Sequence, residues 1–184
     1  MNRLTKSDYI DFDKCINTGK KLINSEKQSL IGLYIIVSIH TGLRISDVLR
    51  LKWSDLMKDV LVIKEKKTKK LRTIKINSTI HSVLSKFNPI DKHDYTFKSQ
   101  KGTVFSVQQI NRVLKEIFKI ESKHLNISSH SLRKSFGRRV YENNNESEKS
   151  LLYLSELFNH TSLSITRKYL GIRQEELNDI YMSL

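Results

Sequence analysis

The chain has a single cysteine, Cys15, in 184 residues, which excludes an intrachain disulfide and any zinc site built on cysteines. Its longest apolar run, Leu30 to Ile39, falls well short of the ~20 residues a bilayer-crossing helix needs and reads as a buried helix. The amino-terminal stretch MNRLTKSD lacks the apolar region of a signal peptide. These absences lead us to expect a soluble protein of a reducing, cytoplasmic compartment. No internal repeat or low-complexity linker divides the sequence, and its length suits one compact domain. No H-x-x-x-H pair or carboxylate cluster marks a metal site. Acidic residues are also scarce, with Asp+Glu 19 against Lys+Arg 33, a formal net charge of +14. Such a surplus favours a polyanionic partner, through attraction to phosphates and release of their counterions. A lysine-rich proteome would give the same charge, so charge alone does not decide.

Local patterns predict a mainly helical chain. Thr5-Lys6-Ser7-Asp8 is a helix-start signal, and the apolar spacing after it predicts a helix over residues 5–23. Ser25-Glu26-Lys27-Gln28 reads as a capping box opening an apolar helix to about His40, broken at Gly42 and followed by a short helix over 45–51. From Val60 apolar and charged residues alternate, which predicts strands at about 60–65 and 71–77 around the turn Lys66-Lys67-Thr68-Lys69-Lys70. A helix over 78–87 ends at Asn88-Pro89, and 91–105 is irregular, with room for a third short strand at 95–98 or 104–105. The capping box Ser106-Val107-Gln108-Gln109 leads a helix to about Lys119, and further helices fall at about 129–143, 147–158 and 162–169. Residues 173–182 form an amphipathic tail with Glu176, Leu177, Ile180, Tyr181 and Leu184 at helical spacing. The expected fold class is mainly α with one small antiparallel β-sheet.

Four segments carry groups with chemical potential. In Thr41-Gly42-Leu43-Arg44-Ile45-Ser46-Asp47, Gly42 permits a turn with positive φ and sets Arg44 near a helix N-terminus, a place for bidentate grip on a phosphate. Read alone, Arg44 fits an ordinary pair with Asp47 better. The hairpin tip around Lys67 fits a solvated turn as well as a phosphate contact. His130-Ser131-Leu132-Arg133, behind candidate caps Ser128 and Ser129, puts a histidine and an arginine on one helix face. Asn159-His160 is followed by Tyr169, and a lone tyrosine is more often a packing residue than a nucleophile. His40 reads as a packed core residue; His81, His93 and His124 read as exposed.

Taken together, the order Arg–Lys–His-x-x-Arg–His–Tyr resembles the catalytic set of the tyrosine recombinase (phage integrase) family. T-G-L-R-I-S-D-V-L-R-L-K-W-S-D is similar to the family's first arginine box, and K-K-T-K-K-L-R-T-I-K-I to its lysine hairpin. H-S-L-R-K-S-F is similar to the second box, and L-F-N-H-T-S-L-S-I-T-R-K-Y-L-G-I to the closing His-to-Tyr stretch. The resemblance implies the catalytic-domain fold of DNA breaking-rejoining enzymes. It implies that Tyr169 attacks the scissile phosphate and forms a 3′-phosphotyrosyl intermediate, with no cofactor and no metal. Arg44 and Arg133 would grip the phosphate, His130 would move the tyrosine proton, Lys67 would protonate the leaving 5′-oxygen, and His160 would hydrogen-bond the phosphate. Asp47 would orient Arg44 and His130. Lys67 is chosen over Lys69 because it stands five residues before Arg72. Lys66, Lys69, Lys70, Arg72, Lys134, Arg138 and Arg139 are expected to contact the backbone of double-stranded DNA.

The resemblance further implies a homotetramer on paired DNA sites, encoded by a bacterium, phage or mobile element and associated with the nucleoid. The family's separate N-terminal core-binding domain is expected to be absent from this chain. The tail would dock on a neighbouring protomer or fold back on its own domain. Asn159 stands where the family usually has glycine, and Lys75 where it often has proline. The rival readings are a type IB topoisomerase and a DNA-binding regulator that kept the fold without catalysis.

Overall fold

A computed structural model describes residues 7–183, with the backbone alone over 173–177. The Thr5 start signal therefore lies outside the described residues, and the helix expected from it begins later. Helix α1 (Phe12–Ile23) starts at Asp11, whose side chain accepts the Lys14 N–H at 2.7 Å. The residues just before it are drawn out of helix by other partners. Asp8 and Asn126 exchange hydrogen bonds of 3.1 and 2.8 Å, and the Ile10 N–H donates to Ser135 Oγ at 3.1 Å. Helix α2 (Ser29–Thr41) begins after Gln28, which makes no side-chain cap, so the expected box at Ser25 does not form. Residues 31–39 are all buried, as befits a helix that is apolar on every side. It crosses α1 closely: a Cβ at Gly32 would lie 2.6 Å from the Gly19 carbonyl oxygen. Tertiary packing, not a local cap, fixes where α2 runs.

Two short helices follow, α3 (Ile45–Val48) and α4 (Trp53–Leu56); the second has no counterpart in the sequence reading. Strands β1 (Val60–Lys64) and β2 (Leu71–Lys75) form the antiparallel hairpin, in a register that pairs Val60 with Lys75 and Lys64 with Leu71. Leu61 and Ile63 face inward, and that parity carries on to Glu65, which is buried just past the strand. The third strand does not form; single bridges join Lys52 to Tyr95 and Lys98 to Val104. Helix α5 (Ser78–Leu84) and helix α6 (Val107–Ile117), the latter with the Ser106–Gln109 capping box in place, complete this part.

Helix α7 (Ser129–Asn143) starts at Ser128, which shares a capping box with Ser131. It packs against α2 on one side and α8 on the other. A tight turn, with Asn145 and Glu146 at φ 54° and 55°, leads to α8 (Glu148–Phe158). Asn159, at φ 55°, ends α8 in the left-handed region, where asparagine is the best-tolerated residue after glycine. Then come α9 (Leu163–Leu170) and α10 (Ile172–Met182), in contact with each other. Side chains gather in two apolar clusters. The larger lies around α2; the smaller comprises Tyr141, Leu151, Leu154, Phe158, Leu170 and Ile172. Helix α7 feeds both, Leu132 into the first and Tyr141 into the second.

Candidate active site

The seam between the two clusters collects the charged groups. Gly42 ends α2 at φ 58°, and its carbonyl oxygen accepts a hydrogen bond from Arg133 Nη1. Two residues on, Arg44 caps α3 through its backbone only. Its guanidinium donates to Glu65 Oε2 at 2.7 Å and to the Phe158 carbonyl oxygen at 2.9 Å. Arg44 thus pairs with Glu65 and not with Asp47. Arg133 is buried, its guanidinium carbon 4.4 Å from the centroid of the Phe158 ring. Burial pushes its pKa down to about 10, with Tyr169 and Glu65 opposing the shift and Arg44 and Arg72 adding to it. It stays cationic at neutral pH, so two fixed guanidinium groups flank one spot, each oriented by a backbone carbonyl.

Phe158 also organises the aromatic groups. Its ring meets those of Tyr169 and His160 edge-on at 5.3 and 5.5 Å, and the latter two lie 5.2 Å apart. The Tyr169 hydroxyl is buried beside the Arg133 guanidinium and makes no well-aligned hydrogen bond among the described residues. Burial raises its pKa, while the charges of Arg133 and Arg44 pull the other way. A phenol so placed needs a proton acceptor to become a nucleophile. His160 Nδ1 lies 3.0 Å from Thr166 Oγ1. Burial lowers its pKa, aided by Arg133 and Arg44. His130 sits in the first turn of α7 with its pKa lowered by desolvation and by the charges of Arg133, Lys134, Arg44 and Lys67. Both imidazoles are therefore neutral at neutral pH, the form that can take a proton or accept a hydrogen bond.

The hairpin brings the lysines to the rim of this spot. Lys66, Lys67, Lys69 and Lys70 are exposed, and Lys67 is near enough for its charge to bear on His130. Asp47 is fully buried and accepts the Lys66 N–H at 2.8 Å through Oδ1. It pins the hairpin turn rather than orienting Arg44 or His130, because the α3 turn points its carboxylate at the chain just past β1. Arg72 was expected to face DNA. At an inward-facing strand position, it instead donates to the Thr41 carbonyl oxygen at 2.9 Å and to Glu65 Oε1 at 3.4 Å. Lys134 is buried too, its ammonium 5.2 Å from the centroid of the Tyr169 ring. Arg138 stacks on Tyr9 and Arg139 on Phe12, the latter also bound to Asp13; these two cover α1 and the segment before it, away from the cluster. The DNA contacts expected of these four are thus not supported by their placement.

Sequence reasoning missed Glu65 and Phe158. The signal for Glu65 was available: an acid two residues beyond Ile63 and four beyond Leu61, on the buried parity of an alternating strand. Phe158 had none beyond an apolar residue ahead of Asn159. Of the remaining histidines, His40 bonds the Ile36 carbonyl through Nδ1 at 2.8 Å, and His93 and His124 are exposed. His81, expected to be exposed, is half-buried, 3.8 Å from Asp59. Among the described residues no group of His, Cys, Asp and Glu could hold a metal ion, and no helix is long and apolar enough to cross a membrane.

Residues 4–176 match the model of the Phage integrase family. The chain is 32% identical over 172 residues to the probable integrase/recombinase YoeC of Bacillus subtilis, covering 92% of this chain and 91% of that protein. It is 27% identical over 176 residues to the tyrosine recombinase XerD of Listeria innocua, and spans 58% of that protein's length. Among solved structures, XerA recombinase superposes with a TM-score of 0.69 at 19% identity, over 95% of this chain and 62% of that one. XerH bound to palindromic difH substrate, a post-cleavage complex, gives 0.69 at 21% identity over 96% of this chain and 53% of that one. At these identities the solved structures speak for the fold.

Proposed function

Because the chain belongs to the phage integrase family, we propose that it is a site-specific tyrosine recombinase acting on double-stranded DNA, with Tyr169 as its nucleophile. The observation that supports this most is the convergence at one seam of Arg44, Arg133, His160 and Tyr169 around Phe158, with His130 and the Lys67 hairpin at the rim.

The Tyr169 oxygen attacks phosphorus in line as its proton passes to His130. The bond to the 5′-oxygen breaks, that oxygen takes a proton from Lys67, and the 3′-phosphate stays on the tyrosine. Attack by a 5′-hydroxyl from a second duplex reverses each transfer, so the phosphodiester free energy is conserved. Arg44 and Arg133 hold the non-bridging oxygens, whose charge grows in the transition state; fixed guanidinium forks suit that task better than ammonium groups. His160 donates to the same oxygens. Lys66, Lys69 and Lys70 lie along the DNA backbone. Ile180 and Tyr181 on α10 are exposed, which favours docking of α10 on a second copy within a tetramer on paired sites; Glu176, Leu177 and Leu184 of the same stripe fall outside the described side chains.

The test is covalent trapping on duplexes with 5′-bridging phosphorothiolate links and randomised flanks, in EDTA. An SDS-resistant adduct that vanishes in Tyr169→Phe supports the proposal. DNA binding without adduct would favour the non-catalytic regulator instead.

A further inference from the structure

Glu65 stands apart from the residues given roles above. The residue is 3% exposed, yet its carboxylate serves three side chains, Arg44 from just beyond α2 and Thr68 and Arg72 from its own hairpin. Oε2 accepts from Arg44 Nη1 at 2.7 Å and from Thr68 Oγ1 at 2.7 Å; Oε1 accepts from Arg72 Nη1 at 3.4 Å. The backbone of the same residue closes the hairpin turn. Its N–H donates to the Lys70 carbonyl oxygen at 2.9 Å, and its own carbonyl accepts the Lys69 N–H at 3.0 Å. Lys67 lies inside that loop. One residue thus holds the turn by its main chain and Arg44 by its side chain.

We infer that Glu65 is a positioning residue that couples the phosphate-gripping Arg44 to the hairpin presenting Lys67, so that both reach the scissile phosphate in register. The inference rests on the reading of Tyr169 as nucleophile. Charge supports it: Arg44, Arg72 and Arg133 crowd one another, and a buried carboxylate between two of them offsets their repulsion. Burial pushes the Glu65 carboxyl up, but the Thr68 hydrogen bond and the two arginines outweigh it and hold it below the usual carboxylate range. The bridge therefore persists throughout the neutral range. Burying a carboxylate is costly unless it is paired and hydrogen-bonded, and here two arginines and a hydroxyl donate to it.

A sulfur leaving group separates coupling from plain structural support. A 5′-thiolate departs without a proton, so a defect in Lys67 placement shrinks on a phosphorothiolate duplex, while a defect in Arg44 placement does not. Single-turnover cleavage would be measured on matched oxygen and sulfur substrates, with Lys67→Ala and Arg44→Ala as references. Glu65→Gln keeps the shape and removes the charge. It is expected to slow the oxygen substrate about 100-fold, the scale of a small misplacement at a reacting centre, and the sulfur substrate about tenfold, the part owed to Arg44. Equal deficits on both substrates, a deficit that vanishes on sulfur, or no deficit in a folded variant would each overturn the coupling. If Glu65→Gln does not fold, Thr68→Val, which removes one bond to the same carboxylate, takes its place. An independent arm needs no DNA: NMR proton exchange at the Arg44 guanidinium and at the Lys66 and Lys69 amides should accelerate together in the variant. Acceleration at Arg44 alone refutes the coupling. If the parent chain gives no Tyr169 adduct, the recombinase reading fails, and the exchange arm still decides whether Glu65 joins the two elements.

Discussion

Replacing Gly42 by alanine is expected to weaken both the fold and the site, by an amount that can be worked from its surroundings. At φ 58° an alanine sits in the left-handed region, which costs ~1–2 kcal/mol for a residue with a Cβ. That Cβ would also lie 2.3 Å from Cδ1 of Phe136, and relieving such a contact in a packed core costs ~1–3 kcal/mol. The sum is about 2–5 kcal/mol, or a Tm drop on the order of 5–15 °C for a chain of this size. Denaturant unfolding measures it, and two further variants divide it. Gly42→Asn tolerates the backbone but keeps the clash, so it should recover roughly 1 kcal/mol. In a Phe136→Ala background the clash disappears, so Gly42→Ala should cost only ~1–2 kcal/mol there. A Gly42→Ala protein within ~0.5 kcal/mol of its parent, or a full penalty persisting without Phe136, would refute the reasoning. Because the Gly42 carbonyl orients Arg133, Tyr169 adduct formation should fall even where the variant is fully folded.

Four more outcomes are expected. Adduct formation should be flat from neutral to weakly alkaline pH and fall on acidification below the 6.5 of a free imidazole, since the lowered pKa values of His130 and His160 keep the working form neutral until then; the pH-rate profile checks this. The same shifts act on stability: the unfolded chain takes up these protons first, so stability is lost as pH falls from 6.5 towards the folded values. Asp47→Ala leaves the Lys66 N–H without its acceptor, for a loss of ~1–3 kcal/mol, with faster amide exchange at Lys66 and slower cleavage of the oxygen substrate. Lys69→Gln and Lys70→Gln together should reduce the slope of log affinity against log salt by about 0.9 per lost phosphate contact, read by fluorescence anisotropy titrations.

Much of the helical layout was legible because local chemistry and packing agree. Ser128 and Ser106 stand before amphipathic runs and their caps form. The hairpin showed in its alternation, and α8 and α9 in their spacing. Where they disagree, tertiary contacts prevailed. The Ser25 box has the right residues, but α2 is set by its burial and its close crossing with α1, and the residues before α1 bind Asn126 and Ser135 instead of coiling. The site's candidate groups were readable from motif order, whereas their partners were not. Arg44 could not be assigned to Glu65 rather than Asp47 without the hairpin's placement, and nothing local says that a backbone carbonyl at Phe158 completes its coordination. Lys134 and Arg72 misled because a positive charge in a basic chain reads as surface; both are turned inward against groups of the site.

The tight turn between α7 and α8 has a consequence for how the labour is divided. Both phosphate-gripping arginines and both proton-moving groups at the rim, from Arg44 to Arg133, precede Asn145; the nucleophile and His160, which donates to the same phosphate, follow Glu146. Handle and blade are thus separate stretches of one polypeptide, hinged at an exposed bend and held shut by the Phe158 ring and carbonyl. Cutting the chain at that bend would part the two functions and leave the smaller apolar cluster split, with Phe136, Val140 and Tyr141 on one side of the cut and Leu151, Leu154, Phe158, Leu170 and Ile172 on the other.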